Sequence, residues 1–378
     1  MGLSTRDRNL LKIACFLPVA VGATVQSLRW FVVRAGVDGS FLSALGLVFG
    51  AYAAARAWVG LRGFVPRFLR PSRAARLARD GAFLRARCGG CALVTGCTAG
   101  LGRAWAFGLA RRGCALILVS RDAAKLAALE DALRAEVAGC DARSVVHDFD
   151  GGDAAPFWDR ALPAALDAAA CGGRYCGLVV NNVGVGTEDP LAIDEVSDAA
   201  VASMVRVNCL GTARACRALI PDLARRGGGA VINVSSGSAV QPTPYLAVYG
   251  ATKAFVAQLS TSLDREWRSR GVRVLCAQPY YIAGTGLFAS TRPSFNAPPP
   301  DVVVDGALDA LVRPREAAVE TTRTCLAHAA IAFLFETIAE DPVLGPLSRP
   351  VARAFGVNGS MLEVMAKARA RFLAKRSR

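Results

Sequence analysis

Tyr249 and Lys253 stand four residues apart, with Ser236 ahead of them in NVSSGS and Asn208 further upstream in RVNCLGT. On a helix that spacing puts the phenol and the ammonium on one face. The lysine is informative in itself. The chain uses 40 Arg and 5 Lys, so a cation needed only for its charge is expected to be Arg, whereas a compact ammonium suits a place beside a phenol. Such a set can transfer a proton at a carbonyl. As hydride reaches the carbon, negative charge grows on the oxygen, Tyr249 supplies a proton, and Ser236 braces the oxygen. A phenol with an ordinary pKa near 10 needs help to do this near neutrality, which Lys253 would give by stabilising the phenolate. Asn208 is the candidate to hold a water that relays protons to Lys253; the plainer alternative is an amide that packs helices.

Hydride needs a donor, and TGCTAGLG at residues 95–102 has the form of a dinucleotide cradle. Gly96, Gly100 and Gly102 follow a strand and open a helix. There they allow a tight turn and let a diphosphate approach backbone N–H groups at the positive helix end. An NAD enzyme usually places a carboxylate at the end of the next strand to hold the ribose hydroxyls. Here Ser120 and Arg121 stand there, and a guanidinium pairs with a 2′-phosphate, so NADPH/NADP+ is favoured. Against this, Arg121 reads as one more solvated arginine. Asp148 is placed at the end of the third strand, near the adenine edge.

These residues need a scaffold, and the pattern from Cys91 onward supplies one. CALVT, ALILVS, SVVHDF, GLVVNN, AVINVSS and RVLCAQP read as strands, separated by helical stretches at 100–112, 122–138, 153–170, 194–226 and 247–270. Alternation of this kind predicts an α/β fold, a doubly wound parallel sheet (Rossmann fold) covered on both faces. A proline-rich excursion at 292–300 precedes a last apolar segment at 325–336 and a basic tail.

The net charge of +15 sits at the ends. Residues 1–87 hold 14 Arg or Lys and three acids, residues 361–378 hold six and one, and the 273 residues between them 25 and 26. A neutral body argues against nucleic-acid binding. Two histidines, His147 and His328, argue against multi-histidine metal sites, and no metal is expected. The scattered cysteines, among them Cys114, Cys209 and Cys276, read as reduced buried thiols, and the lone C-x-x-C of Cys88 and Cys91 lacks a second pair. Residues 13–28 and 39–55 are uncharged, with Arg29 and Arg56 at their distal ends. Two spans in a hairpin, or one span and an interfacial helix, both fit if those arginines snorkel; a cleaved signal or transit sequence is the other reading. Eight arginines from Arg62 to Arg87, opposed by Asp80 alone, belong on the cytoplasmic side. The domains expected are a membrane anchor (1–61, an N-terminal helical segment), a basic linker (62–88), the nucleotide-binding catalytic domain (89–290), a substrate-side lid (291–345) and a basic C-terminal tail (346–378).

From 89 to 290, TGCTAGLG, NNVG (Asn181 to Gly184), Asn208, NVSSGS, YGATK and QPYYIAGT together resemble the short-chain dehydrogenases/reductases. LVSR, NNVG, SSGS, VYGATKAF and PYY resemble its membrane-bound very-long-chain 3-oxoacyl-CoA reductase and 17β-hydroxysteroid dehydrogenase subgroup. The resemblance implies catalysis by Ser236, Tyr249, Lys253 and Asn208. It implies a cofactor lying along Gly96, Thr98, Gly100, Leu101, Gly102, Ser120, Arg121, Asp148, Asn182, Tyr249, Lys253, Pro279 and Ile282. Reduction of 3-oxoacyl-CoA in fatty-acid elongation is the activity it favours, with a steroid or retinal-type ketone as the alternative substrate. It further implies an endoplasmic reticulum membrane location with the catalytic domain in the cytosol, a homodimer through 194–226 and 247–270, and an elongase complex as partner. A non-catalytic scaffold is the alternative of another class. One departure stands out: where the family has threonine after the proline turn, this chain has Gly284, with Thr285 one place later. Either the loop shifts by one residue or the contact is lost.

Overall fold

The computed structural model describes residues 72–151, 157–168, 174–187, 189–285, 292–294, 297–313, 321–322 and 361–376. The two apolar runs and the anchor they would form lie outside these residues, as does the stretch 325–336. Among the described residues no helix is long and apolar enough to cross a membrane.

Strands β1 (Cys91–Thr95), β2 (Ala115–Ser120), β3 (Ala142–Val146), β4 (Leu178–Asn181), β5 (Gly229–Val234), β6 (Val272–Ala277) and β7 (Thr321–Thr322) form one sheet in the order β3-β2-β1-β4-β5-β6-β7. Every neighbouring pair is parallel. β1, β2 and β5 are buried along their whole length because helices cover both faces, so their sequences read as continuous apolar runs. Alternate residues serve opposite layers: Ala92 and Val94 join one core cluster, Cys91 and Leu93 the other.

Helices α1 (Arg73–Cys88), α2 (Gly100–Ala110) and α3 (Ala123–Glu136) feed the first cluster. The second takes α4 (Leu162–Ala168) and the helices that follow β4 and β5. The helical stretch 194–226 is divided. Ser197 accepts from the Ala200 N–H at 3.2 Å and starts α5 (Asp198–Met204), a π-turn covers Val205–Gly211, and α6 is Thr212–Arg225. Serine at such a cap satisfies a helix N–H that periodicity alone does not see. α7 spans Ala247–Trp267.

Two segments depart from their sequence reading. Residues 73–88, read as part of a basic linker, form α1, capped by Ser72 and ended by Gly89 at φ +64°. It docks through buried Leu84, Cys88 and Asp80. Within the segment read as a lid, α8 (Pro300–Val312) buries Val303, Val304, Ala307, Leu308 and Leu311. It lies so close to α2 that a Cβ at Gly108 would stand 2.8 Å from Val304 Cγ1. That helix is core, and β7 beyond it extends the sheet. The tail read at 346–378 contains α9 (Met361–Arg376).

Candidate functional site

The site lies at the C-terminal ends of β1, β4 and β5, where open parallel sheets bind ligands. At β1 the chain turns through Gly96 and Gly100, at φ +62° and +50°, values that favour glycine. A Cβ at Gly102 would lie 2.0 Å from the Gly96 carbonyl oxygen, so the third glycine lets α2 start against the turn. Ala99 precedes α2 with no side-chain cap, and the first turn carries no acid. The free N–H groups and positive dipole end are left for an anion. Leu101 points into the core cluster and Thr98 Oγ1 lies 3.3 Å from Ser120 Oγ.

Asn182 is a support for this loop. Its Nδ2 donates to the carbonyls of Thr95 and Gly96, both at 3.1 Å, and its backbone N–H to Thr95 Oγ1 at 3.0 Å. Arg121 is exposed at the end of β2, between Ser120 and Asp122, whose carboxylate caps α3 by accepting from the Lys125 N–H. Asp148 lies beyond β3, which ends at Val146; it is exposed, and its carboxylate accepts from the Asp150 N–H at 3.0 Å. The strand ends early because the chain turns at 148–151, closed by Gly151 N–H to the Asp148 carbonyl at 3.2 Å.

Ser236, Tyr249 and Lys253 are brought together by β5 and α7. Ser236 ends the loop from β5 and accepts from the Ser238 N–H at 3.2 Å. Tyr249 is buried; burial raises its pKa, and its hydrogen bond with Ser236 offsets part of that rise. Lys253 is 4% exposed. Its Nζ donates to the Val234 carbonyl at 3.0 Å and lies 5.8 Å from the Tyr249 ring centroid. Burial draws its pKa from 10.5 down to about 8, against the opposing pull of the Cys276 and Cys209 thiols. A buried ammonium without a carboxylate has this signature.

A polar ladder seats α7 on the strands. Ser235 Oγ donates to the Lys253 carbonyl at 2.6 Å. Asn181 Nδ2 donates to Asn233 Oδ1 at 2.8 Å, and Asn233 Nδ2 to Ser260 Oγ at 2.9 Å. Asn208 sits in the π-turn and grips the backbone of Val185, accepting from its N–H and donating to its carbonyl, both at 2.8 Å. Its Nδ2 also donates to Thr252 Oγ1 at 2.9 Å. The side chain therefore fastens the loop after β4 to α7. Gly184 completes the niche: a Cβ there would stand 2.9 Å from Lys253 Nζ and 3.3 Å from Asn208 Oδ1.

On the far side, the Pro279 carbonyl accepts from the Gly237 N–H at 2.8 Å, and Ile282 is buried. Gly284 turns at φ +71°, which brings Thr285 beside the cradle, its Cγ2 3.4 Å from a Cβ built on Gly100. Thr285 Oγ1 donates to the Ile282 carbonyl at 3.0 Å. Gly184, Ser235 and Thr252 were missed as site residues in the sequence. Each lies inside a motif visible in the sequence, NNVG, NVSSGS and YGATK.

The sequence model of the short chain dehydrogenase family matches residues 90–295. This chain is a short-chain dehydrogenase. A duck (Anas platyrhynchos) protein named very-long-chain 3-oxoacyl-CoA reductase is 31% identical over 314 residues, covering 82% of this chain and 92% of that one. Among solved structures, the short-chain dehydrogenase of Sphingobium yanoikuyae in complex with NADPH is 27% identical, with a TM-score of 0.51 over 61% of this chain and 86% of that one. The 3-ketoacyl-(acyl-carrier-protein) reductase of Brucella melitensis complexed with NADH is 26% identical, with a TM-score of 0.54 over 62% and 95%. Within this short-chain dehydrogenase the uncapped start of α2 and the glycine turn fit a dinucleotide diphosphate.

Proposed function

We propose that this dehydrogenase reduces 3-oxoacyl-CoA to 3-hydroxyacyl-CoA with NADPH. The observation that carries the substrate is the likeness to the duck 3-oxoacyl-CoA reductase along 92% of its length. Arg121, a cation where a carboxylate would repel a 2′-phosphate, supports NADPH over NADH. The start of α2, with Gly96, Gly100 and Gly102, would hold the diphosphate; Ser120 and Arg121 would hold the adenosine ribose, and Tyr249 and Lys253 the other ribose.

When bound, NADPH supplies the hydride that reduces the ketone carbon. Ser236 fixes the ketone oxygen by a hydrogen bond set up in advance, so little reorganisation is needed as charge develops. Tyr249, kept as a neutral phenol by burial, gives its proton to that oxygen. Lys253, drawn down to about 8, is poised to restore the proton near neutral pH, because transfer is efficient when donor and working pH lie close. Asn208 and Gly184 position this lysine by fixing the loop after β4. Water held beside Asn208 would return the proton from solvent.

A substrate with a long acyl chain partitions into lipid. The uncharged runs at 13–28 and 39–55 support a tether to the endoplasmic reticulum membrane with the catalytic domain on the cytosolic side and access to an elongase complex. Leu210 and Phe255, both 42% exposed, support a homodimer through the helices that carry them. The test is NADPH consumption by the purified protein with a long-chain 3-oxoacyl-CoA beside estrone. One NADPH should be oxidised per 3-keto group reduced, with the thioester left intact. Reduction of estrone alone overturns the acyl-CoA assignment, and NADPH binding without turnover of any lipid ketone leaves the scaffold reading.

A further inference from the structure

The loops after β4 and β5 that bear Gly184 and Ser236 continue into Pro190–Glu195 and Tyr245. These two stretches meet where the Leu191 N–H donates to the Tyr245 carbonyl at 3.0 Å. Tyr245 has φ +65°, a left-handed value shared by no other non-glycine among the described residues. It stands one helical turn before Tyr249. A bulky residue in that region persists only when its surroundings hold it there.

What holds it comes from the far end of the chain. Arg369, on α9, lies over the Tyr245 ring at 5.6 Å and over the Phe372 ring of its own helix at 5.4 Å. Its Nη1 donates to the Pro190 carbonyl at 2.9 Å and its Nη2 pairs with Glu195 Oε1. Glu195 in turn accepts from the Ala192 N–H at 2.7 Å through Oε2. The Arg369 side chain is 13% exposed, and Met365, one turn earlier on the same helix face, is buried. One planar guanidinium therefore ties both loops at the ends of β4 and β5 to the C-terminal helix. A lysine could not make the same fork and stacking contacts.

We propose that Arg369 is a positioning residue for the substrate and that α9 is the strap through which it acts: it holds the two loops at the ends of β4 and β5 in the conformation that receives the acyl chain. The claim rests on the acyl-CoA reading only for the choice of assay substrate. Arg369 touches neither Tyr249 nor Lys253, so proton transfer on a seated substrate does not depend on it.

The test compares wild type, Arg369→Ala, Arg369→Lys and Phe372→Ala in the full-length protein. With a long-chain 3-oxoacyl-CoA, Arg369→Ala should raise KM about tenfold while kcat stays within about twofold, since loop order governs seating rather than chemistry. KM for acetoacetyl-CoA, which has almost no chain to seat, and Kd for NADPH should not move. Arg369→Lys should fall between, and Phe372→Ala, which leaves the 190–195 loop untouched, should shift KM in the same direction. Hydrogen exchange at the Leu191 amide reads the strap without any substrate, and Arg369→Ala should quicken it about tenfold while β4 amides stay protected. Unchanged Leu191 exchange, equal KM changes for both esters, or a fall in melting temperature with no KM split overturns the proposal. Should wild type reduce neither ester, the acyl-CoA reading fails while the exchange result still decides the strap.

Discussion

Two buried cations sit on opposite layers of the sheet. Arg112, just past the end of α2, is 4% exposed, as is Lys253 on α7. Arg112 is fully matched. Its Nε donates to Asp80 Oδ2 at 3.0 Å, Nη1 to the Gly108 carbonyl at 2.9 Å and Nη2 to Asp305 Oδ1 at 2.8 Å. Around it Arg79 bridges Asp80 and Asp309, each at 2.8 Å, and Arg313 reaches Asp309 at 2.7 Å. Burial alone would raise the Asp309 pKa, but the hydrogen bonds from Arg79 and Arg313 outweigh it and bring it below its ordinary value. Among the described residues Lys253 has one carbonyl and no carboxylate partner, and its pKa falls. The matched cation holds α1 and α8 to the body. The unmatched one keeps a proton loosely, which is what a relay needs and what a structural clamp must avoid.

The largest effect should come from Lys253→Met. Losing a positioned proton donor and its charge should lower kcat by about 10³-fold, or roughly 4 kcal/mol of barrier. The melting temperature should hold or rise, because an uncompensated buried ammonium is removed. A melting temperature that falls with kcat would mean that Lys253 is a clamp too, and the contrast would fail.

Arg112→Met should do the reverse. It leaves Asp80, 1% exposed, facing Arg79 alone, and should cost about 3–5 kcal/mol of stability with kcat of the folded fraction unchanged. Adding Asp80→Leu should recover most of the loss, since replacing both partners removes the stranded charge. Denaturant titration of the singles and the double gives the coupling, and additive losses would refute a clamp built on that pair.

The two sites were unequally legible in the sequence. Tyr249 and Lys253 lie one turn apart, and Gly96, Gly100 and Gly102 share one turn, so local spacing displays their chemistry. The clamp is invisible locally: Asp309 stands 230 residues from Arg79, and Asp305 193 from Arg112. Asp80 therefore looked like a stray acid in a basic linker. The strands at 91–95 and 115–120 were legible to the residue because apolar runs end where burial ends. Asp148 was read as ending the third strand, whereas β3 stops two residues earlier at Val146, because the chain turns at 148–151 and local sequence does not show where a turn begins. Asn208 was found, but its grip on Val185 is a tertiary contact that no spacing encodes.

The acid-base difference between the cations gives a smaller, graded prediction. Lys253 binds its proton less tightly folded, at about 8, than at its ordinary 10.5. Between those values the unfolded chain carries the extra proton, so stability from this group rises with pH; below pH 8 its destabilisation is present in full. The swing is at most roughly 3 kcal/mol. Cofactor-free wild type should gain on Lys253→Met between pH 7.5 and 9.5, measured by thermal melts of the pair. A constant difference across that range would place the lysine's folded pKa back at its ordinary value.

A third cation completes the series. Arg121 is exposed and, on the proposed reading, meets the 2′-phosphate. Being solvated, it carries no desolvation penalty and contributes little to stability, so Arg121→Ala should leave the melting temperature within about a degree. Its effect should appear in binding: KM for NADPH should rise about tenfold, the loss of one charge-assisted contact of about 1.4 kcal/mol, while KM for NADH stays level. Steady-state kinetics with both cofactors reads the ratio directly. Equal changes for NADPH and NADH would assign Arg121 to the solvated surface and leave the choice of nucleotide to Ser120 and Thr98, whose hydroxyls lie 3.3 Å apart at the same strand end.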